Sequence, residues 1–410
     1  MSERKRIYLC LAHMSEAGLE QKYIKDAFDT NWVVPLGPNV DGFERDLEEF
    51  MNVEEPSPET SSQKRIVALS SGTAAVHAGL IDVGVRAGDE VICQSLTFCA
   101  SVNPVMYLGA RPVLVDSEPA TWNLSPDLME EAIKDRIRKT GRTPKAIVPV
   151  HLYGMPAEMD RIMEIADRYD IPVMEDAAEA IGSKYKGQLC GTFGRYGVWS
   201  FNGNKMITTS GGGALICPCE ESKRNAIYYA TQAKLPTPYY QHEVIGFNYR
   251  LSNICAGIGR GQMTVLRDHI AHHRHIQALY EESFAHIEGI EVHVRPSDAF
   301  DSNYWLCTIL LDEHLHVMGQ ETVYDAVEIR TDCEPNANVE AMRAFLDKKG
   351  IEARPLWKPM HKQPVYKDAP AYVNGVSESL FRRGMCLPSG PCVTDEDVHY
   401  IIESIKEAIR

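Results

Sequence analysis

Between residues 66 and 216 the chain repeats one pattern. A short apolar run is followed by a small-residue or polar turn and then by ten to fifteen residues of helical periodicity. The runs lie at 66–69, 90–93, 112–116, 146–150, 171–174, 198–201 and 214–216, with helical stretches at 74–83, 98–108, 126–139 and 156–169. Continuous apolar runs of this length, rather than alternating ones, fit strands covered on both faces. Their separation by helices predicts a mainly parallel sheet with helices on either side. In such a sheet ligands sit beyond the carboxyl ends of the strands, so the residues that follow each run carry the functional information.

Three of those ends stand out. The first run leads through Ser70-Ser71-Gly72-Thr73 into a helix, an arrangement that turns free backbone N–H groups toward an anion. Ser and Thr are also ordinary helix caps, so a plain cap fits as well. The run at 171–174 ends in Glu175-Asp176. The run at 198–201 ends in Asn202-Gly203-Asn204-Lys205, with Thr208-Thr209-Ser210-Gly211-Gly212-Gly213 leading into the last run. A lysine hemmed in by strands, near a carboxylate on a neighbouring strand end, suits Schiff-base chemistry. That chemistry needs an amine kept partly neutral and an acid to hold a cofactor nitrogen protonated. Taken alone, the same lysine also reads as a solvated loop residue.

Four segments in order, Ser70-Ser71-Gly72-Thr73-Ala74-Ala75, Glu175-Asp176-Ala177-Ala178-Glu179, Ser200-Phe201-Asn202-Gly203-Asn204-Lys205 and Gly246-Phe247-Asn248-Tyr249-Arg250-Leu251-Ser252, give a resemblance that runs from about Arg6 to the C-terminus. The chain resembles the DegT/DnrJ/EryC1/StrS nucleotide-sugar aminotransferases. The resemblance implies the pyridoxal-phosphate-dependent aspartate-aminotransferase fold (type I). In that fold a large α/β domain with a mainly parallel seven-stranded sheet, expected over 1–265, precedes a smaller C-terminal α/β domain, expected over 266–410. It further implies Lys205 as the residue that carries pyridoxal 5'-phosphate and moves the proton, and Asp176 on the ring nitrogen. Gly72, Thr73 and Ser200 fall on phosphate-binding positions, and Phe98 on the position of the stacked ring. Glu179 falls on a position near the ring hydroxyl, where it also reads as a structural carboxylate. Asn248 is implied to reach the phosphate of a partner subunit, which makes a homodimer the expectation. The segment Ile351-Glu352-Ala353-Arg354-Pro355-Leu356-Trp357-Lys358-Pro359-Met360-His361 matches the surroundings of the sugar-nucleotide pocket. Arg354, Trp357, Lys358 and His361, with Arg250, are the candidate substrate contacts.

The segments around Lys205, Trp357 and Cys386-Leu387-Pro388-Ser389-Gly390 are most similar to one branch of the family. That branch moves an amino group from L-glutamate, leaving 2-oxoglutarate, to C4 of a UDP-linked 4-keto-6-deoxy-N-acetylhexosamine for surface polysaccharide or glycan. A GDP- or dTDP-linked ketosugar is the alternative. A non-catalytic regulator would be expected to lose Lys205 or Asp176, and a sugar dehydratase of the same family carries histidine in place of the lysine. Both Lys205 and Asp176 are present. Gly257-Ile258-Gly259-Arg260-Gly261 has the wrong spacing for a dinucleotide site and lies in a helical stretch.

Composition narrows the remainder. A formal net charge of −15 over 410 residues argues against a nucleic-acid surface while allowing a local basic pocket for an anionic substrate. No run of eighteen apolar residues marks a membrane helix, and no apolar stretch follows the charged first six residues, so no secretory signal is expected. Eleven scattered cysteines fit free thiols in a reducing cytoplasm. Neither Cys217-Pro218-Cys219 nor the histidines at 269, 272, 273 and 275 have a convincing metal pattern, and no metal is expected. Helices are expected near 15–30, 42–51, 220–231, 253–286, 337–349 and 394–409. Residues 53–64 read as an exposed loop, and 313–338 as a polar surface insertion.

Overall fold

A computed structural model describes residues 5–54, 64–324 and 333–409. Most of the expected loop at 53–64, and residues 325–332 of the expected insertion, lie outside the described residues.

The seven apolar runs form the strands β1 (Arg65–Leu69), β2 (Glu90–Gln94), β3 (Arg111–Val115), β4 (Ala146–Val148), β5 (Met174–Asp176), β6 (Tyr196–Ser200) and β7 (Gly213–Cys217). They lie in the order β3-β2-β4-β5-β6-β7-β1, with β4 and β5 joined through the parallel bridges Ile147↔Val173 and Val150↔Asp176. Only β7 runs against its neighbours, pairing antiparallel with both β1 and β6. The reversal has a use. It brings Gly213 opposite Leu69 and Ser200, so the start of β7 meets the carboxyl ends of β1 and β6. Apart from Arg65, Glu90 and Arg111 at the starts of β1, β2 and β3, the strand residues are buried, as apolar runs between two helical layers require.

An eighth strand, β8 (Ala371–Tyr372), comes from the C-terminal region and pairs parallel with β3 at the sheet edge. The remaining C-terminal elements build an antiparallel sheet in the order Ile290–Val292, Cys307–Leu311, Gly384–Leu387, Arg354–Pro355. The helices Leu266–Phe284, Ala337–Lys348 and Asp395–Ala408 pack on it. The expected boundary at 265/266 falls between the helices Asn253–Met263 and Leu266–Phe284. Chain from beyond it returns to the first part twice, as β8 and as Phe300–Asp301 beside Lys184–Tyr185. Near the N-terminus, Ile7 bridges Ile351 in parallel, and Leu9 O accepts the Ser389 N–H.

Three expectations are corrected. The helix expected from 42 begins a turn earlier, at Pro38 (Pro38–Glu54), because proline is tolerated where the first-turn N–H has no acceptor. The long stretch 253–286 is two helices, broken around Thr264 and Val265. The region from 313 is not all surface: Val317 is fully buried in the core of the C-terminal sheet and its helices, and Cys333 is fully buried.

The histidines of Leu266–Phe284 serve packing. His269 Nδ1 lies 3.0 Å from Met206 O, His273 Nδ1 3.2 Å from Tyr304 O, and His275 Nε2 2.9 Å from Asp395. Burial pushes His273 and His293 down to about 3 from 6.5. His293 stacks on Trp122 at 3.7 Å. Imidazoles held neutral in the fold contribute stability that is complete above the unfolded value near 6.5 and is lost as pH falls toward 3. The slope is roughly 1 kcal/mol per pH unit for each. In urea titrations at pH 7.5 and 5.5, His293→Gln is expected to remove about half of the loss that these two residues cause. An unchanged difference between the two pH values would show that His293 is not held neutral.

Candidate active site

The helix Gly72–Val83 starts directly beyond β1. Ser71, in extended backbone, caps it by accepting the Ala74 N–H at 3.0 Å. That leaves the first-turn amides of Gly72 and Thr73 without intrahelical acceptors. Two neighbours close around this helix end. A side-chain carbon on Gly213 would lie 2.4 Å from the Gly72 nitrogen, and one on Gly72 would lie 3.2 Å from the Ser200 side chain. Two glycines and one hydroxyl thus leave an open, N–H-lined notch of the kind that takes a phosphate. Gly213→Ala fills it, and overpacking of about 1–3 kcal/mol corresponds to roughly 5- to 150-fold weaker binding of pyridoxal phosphate. Fluorescence titration of cofactor-free protein checks this, and unaltered affinity would place the phosphate elsewhere.

Lys205 lies on a tight turn after β6, its N–H donating to Asn202 O at 2.9 Å. Its Nζ stands 3.2 Å from Glu179 Oε1 and 3.9 Å from the centre of the Trp305 ring. Trp305 is itself fixed, donating its indole N–H to Asn204 O at 2.7 Å. The other Glu179 oxygen accepts the Tyr153 N–H at 2.7 Å. Tyr153 is buried and left-handed at φ 54°, a conformation that strains a residue with a side chain. Burial pushes the Glu179 carboxyl up, and the Lys205 charge partly offsets it.

Asp176 ends β5 with one oxygen accepting the Ser101 hydroxyl at 2.6 Å and the other the Ala178 N–H at 3.1 Å. Its neighbour Glu175 points to the opposite face. There it is fully buried, accepting from Gly191 and Gly194 N–H at 2.8 and 2.6 Å and lying 3.0 Å from His151 Nε2. One of the two adjacent carboxylates therefore holds the fold together and leaves the other to the site.

A cavity of about 890 Å³ opens above Lys205. Phe98 projects into it, half exposed, with its ring 5.6 Å from that of Trp357. Trp357 packs at 4.9 Å on Tyr153 and donates its N–H to the Tyr153 hydroxyl at 2.9 Å. Arg354 and Lys358 also line the cavity, paired with Glu352 at 2.7 Å and Glu334 at 3.4 Å.

The remaining candidates are placed elsewhere. Arg250 is engaged within this chain: partly buried, it donates to Glu44 Oε1 at 2.6 Å and Ala68 O at 3.1 Å, clamping the helix Pro38–Glu54 to β1. His361 is also engaged, with Nδ1 2.7 Å from Ser95 Oγ and Nε2 3.2 Å from Glu378. Asn248 is exposed beside Thr231, outside the cavity. The structure adds residues that the sequence patterns did not mark: Cys10, Trp305, Arg6 and Arg343 line the cavity, and Tyr153 supports it from behind through Glu179 and Trp357. Only Tyr153 had a usable signal, in His151-Leu152-Tyr153-Gly154 just past β4.

A lysine on one strand end, carboxylates on the next, and an N–H notch across the reversed strand fit pyridoxal phosphate. The fold and the site are those of a pyridoxal-phosphate-dependent aminotransferase. More narrowly, the chain belongs to the DegT/DnrJ/EryC1/StrS aminotransferase family, whose model matches residues 15–406. It is 44% identical to the putative pyridoxal phosphate-dependent aminotransferase EpsN of Bacillus subtilis (strain 168), over 97% of this chain and 95% of that one. It is 36% identical to the GDP-perosamine synthase of Escherichia coli O157:H7, over 98% of both. Among solved structures, a DegT DnrJ EryC1 StrS aminotransferase from Brucella abortus superposes with a TM-score of 0.82 at 28% identity, over 96% of each chain.

Proposed function

We propose that the protein transfers an amino group from L-glutamate to C4 of a UDP-linked 4-keto-6-deoxy-N-acetylhexosamine, a step toward surface polysaccharide or glycan. The observation that carries the nucleotide-sugar part is charge. In a chain of net charge −15, the cavity above Lys205 gathers Arg6, Arg343, Arg354 and Lys358 in its wall with Asp347 and Glu352, while the acids paired with Arg343 and Lys358, Glu340 and Glu334, stand outside the wall. A diphosphate linkage suits such a cavity, because guanidinium groups bind phosphate oxygens in pairs.

When bound, pyridoxal phosphate supplies the carbonyl that receives the amine and the pyridinium that draws off the electron pair. The chain supplies the rest. Gly72 and Thr73 N–H groups and the Ser200 hydroxyl hold the phosphate, Asp176 keeps a proton on the ring nitrogen, and Phe98 covers the ring. Lys205 anchors the cofactor and carries the proton to and from the substrate carbon. Glu179, 3.2 Å away, balances the lysine charge while the amine is free.

We place the enzyme in a reducing cytoplasm, which suits its eleven free cysteines. No helix among the described residues is long and apolar enough to cross a membrane. We also read it as a homodimer. Tyr239, Tyr240 and Ile245 leave a loop of exposed apolar side chains leading to Asn248, a surface suited to a second copy whose site Asn248 would enter.

The likeness to a GDP-perosamine synthase favours a second reading, with a GDP-linked 4-ketosugar as acceptor. One experiment separates them. Cofactor-loaded protein and L-glutamate are incubated with UDP-, GDP- and dTDP-linked ketosugars, and the products are followed by mass and NMR. Amination at C4 of the UDP-N-acetyl substrate alone is expected. Turnover of the GDP sugar alone would move the enzyme to the second reading, and turnover of neither would refute both.

A further inference from the structure

We propose that Ser101, backed by Thr97, is a positioning residue that holds the Asp176 carboxylate aimed at the cofactor ring nitrogen. The inference rests on the reading that Asp176 meets that nitrogen. An ionised carboxylate only accepts hydrogen bonds. The single Ser101 proton therefore goes to Asp176 Oδ2, at the 2.6 Å of a charge-assisted bond. Ser101 Oγ is left to accept, and the Thr97 hydroxyl 2.8 Å away becomes its donor. The order Thr97 to Ser101 to Asp176 is thus fixed in one direction. All three groups are buried, with exposures of 1%, 2% and 4%, so water does not substitute for a missing link.

The loop that bears this relay also bears Phe98, immediately before the single turn Cys99–Ser101. One short segment beyond β2 therefore presents the ring-covering side chain and tethers the ring-nitrogen carboxylate. Displacement of either would move the other. Hydrogen bonding to the charged form of an acid favours that form. Without Ser101 the carboxylate loses the donor that holds Oδ2 in place and is free to turn away, so the proton on the ring nitrogen loses the acceptor that favours it.

The test uses full-length protein reloaded with ¹⁵N-labelled pyridoxal phosphate. The ring-nitrogen chemical shift reports protonation, and fluorescence titration reports affinity. Ser101→Ala is expected to move the shift toward neutral pyridine and to weaken cofactor binding about tenfold or more. Ser101→Thr, which keeps the hydroxyl, should restore both. Thr97→Val should move both in the same direction by less, and it serves if Ser101→Thr does not fold. Asp176→Asn separates the two levels of the argument. If it leaves the ring-nitrogen shift unchanged, the placement of Asp176 is wrong. If it moves the shift while Ser101→Ala and Thr97→Val do not, the relay is refuted and the placement stands.

Discussion

Lys205→Ala is expected to lower turnover by about 10⁴-fold or more, because on the proposed mechanism the variant loses both the anchor for the cofactor and the proton carrier. The surroundings of the side chain say why no neighbour replaces it. Lys205 Nζ lies between the Glu179 carboxylate and the face of Trp305. Neither of these is an amine, and the other lysine of the cavity wall, Lys358, is drawn toward Glu334. Single-turnover kinetics with L-glutamate measure the chemical step directly. Borohydride treatment followed by intact mass gives a second readout: the wild type should retain the cofactor mass on Lys205 and the variant should not. A variant that keeps more than about one hundredth of the single-turnover rate would transfer the proton role to another group.

The second large effect is on stability. Glu44 is buried at 5% exposure and takes three partners: the Ala68 N–H at 2.9 Å, Arg250 at 2.6 Å and Lys223 at 3.1 Å. Glu44→Ala strands the largely buried Arg250 guanidinium without its counter-charge and leaves Lys223 to Glu48 alone, at 3.2 Å. Breaking a buried pair by removing one partner costs about 3–5 kcal/mol, so the urea midpoint should fall steeply. A loss below about 1 kcal/mol would mean that Arg250 turns out to solvent or into a ligand site, which would return it to the substrate contacts. The experiment therefore tests the correction made for Arg250 as well as the fold.

What the sequence revealed and what it hid follow from range along the chain. The positions of Asp176 and Lys205 were legible because one lies at and the other just beyond the end of an apolar run, and a strand end is a local property. The notch at Gly72 was legible for the same reason, since strand, small-residue turn and helix are contiguous. The engagement of Arg250 and His361 was not legible because their partners are remote: Glu44 is 206 residues from Arg250, and Ser95 is 266 from His361. A cation in a motif looks the same whether it faces a ligand or a buried acid. Trp305, Arg6 and Arg343 were missed because nothing beside them in the chain marks a ligand, and Arg343 reads only as one residue of the helix expected near 337–349. They become wall residues only when the C-terminal sheet and the first residues fold against the strand ends. Glu175 and Asp176 show the limit most clearly. They are adjacent acids of similar character, and only alternation along β5 decides which one faces the site.

The bridge between Ile7 and Ile351 has a consequence for the order in which the molecule is completed on the ribosome. Residues 6–11 leave the exit tunnel early but find their partners, Gly350, Glu352 and Ser389, only after roughly 340 further residues. At synthesis rates of ~5–20 residues per second that is a wait of about 20–70 s. The helix end at Gly72 and the turn at Gly213 need nothing beyond the first 220 residues to come together. The nascent chain is therefore able to assemble the notch at Gly72 well before the C-terminal wall of the cavity exists.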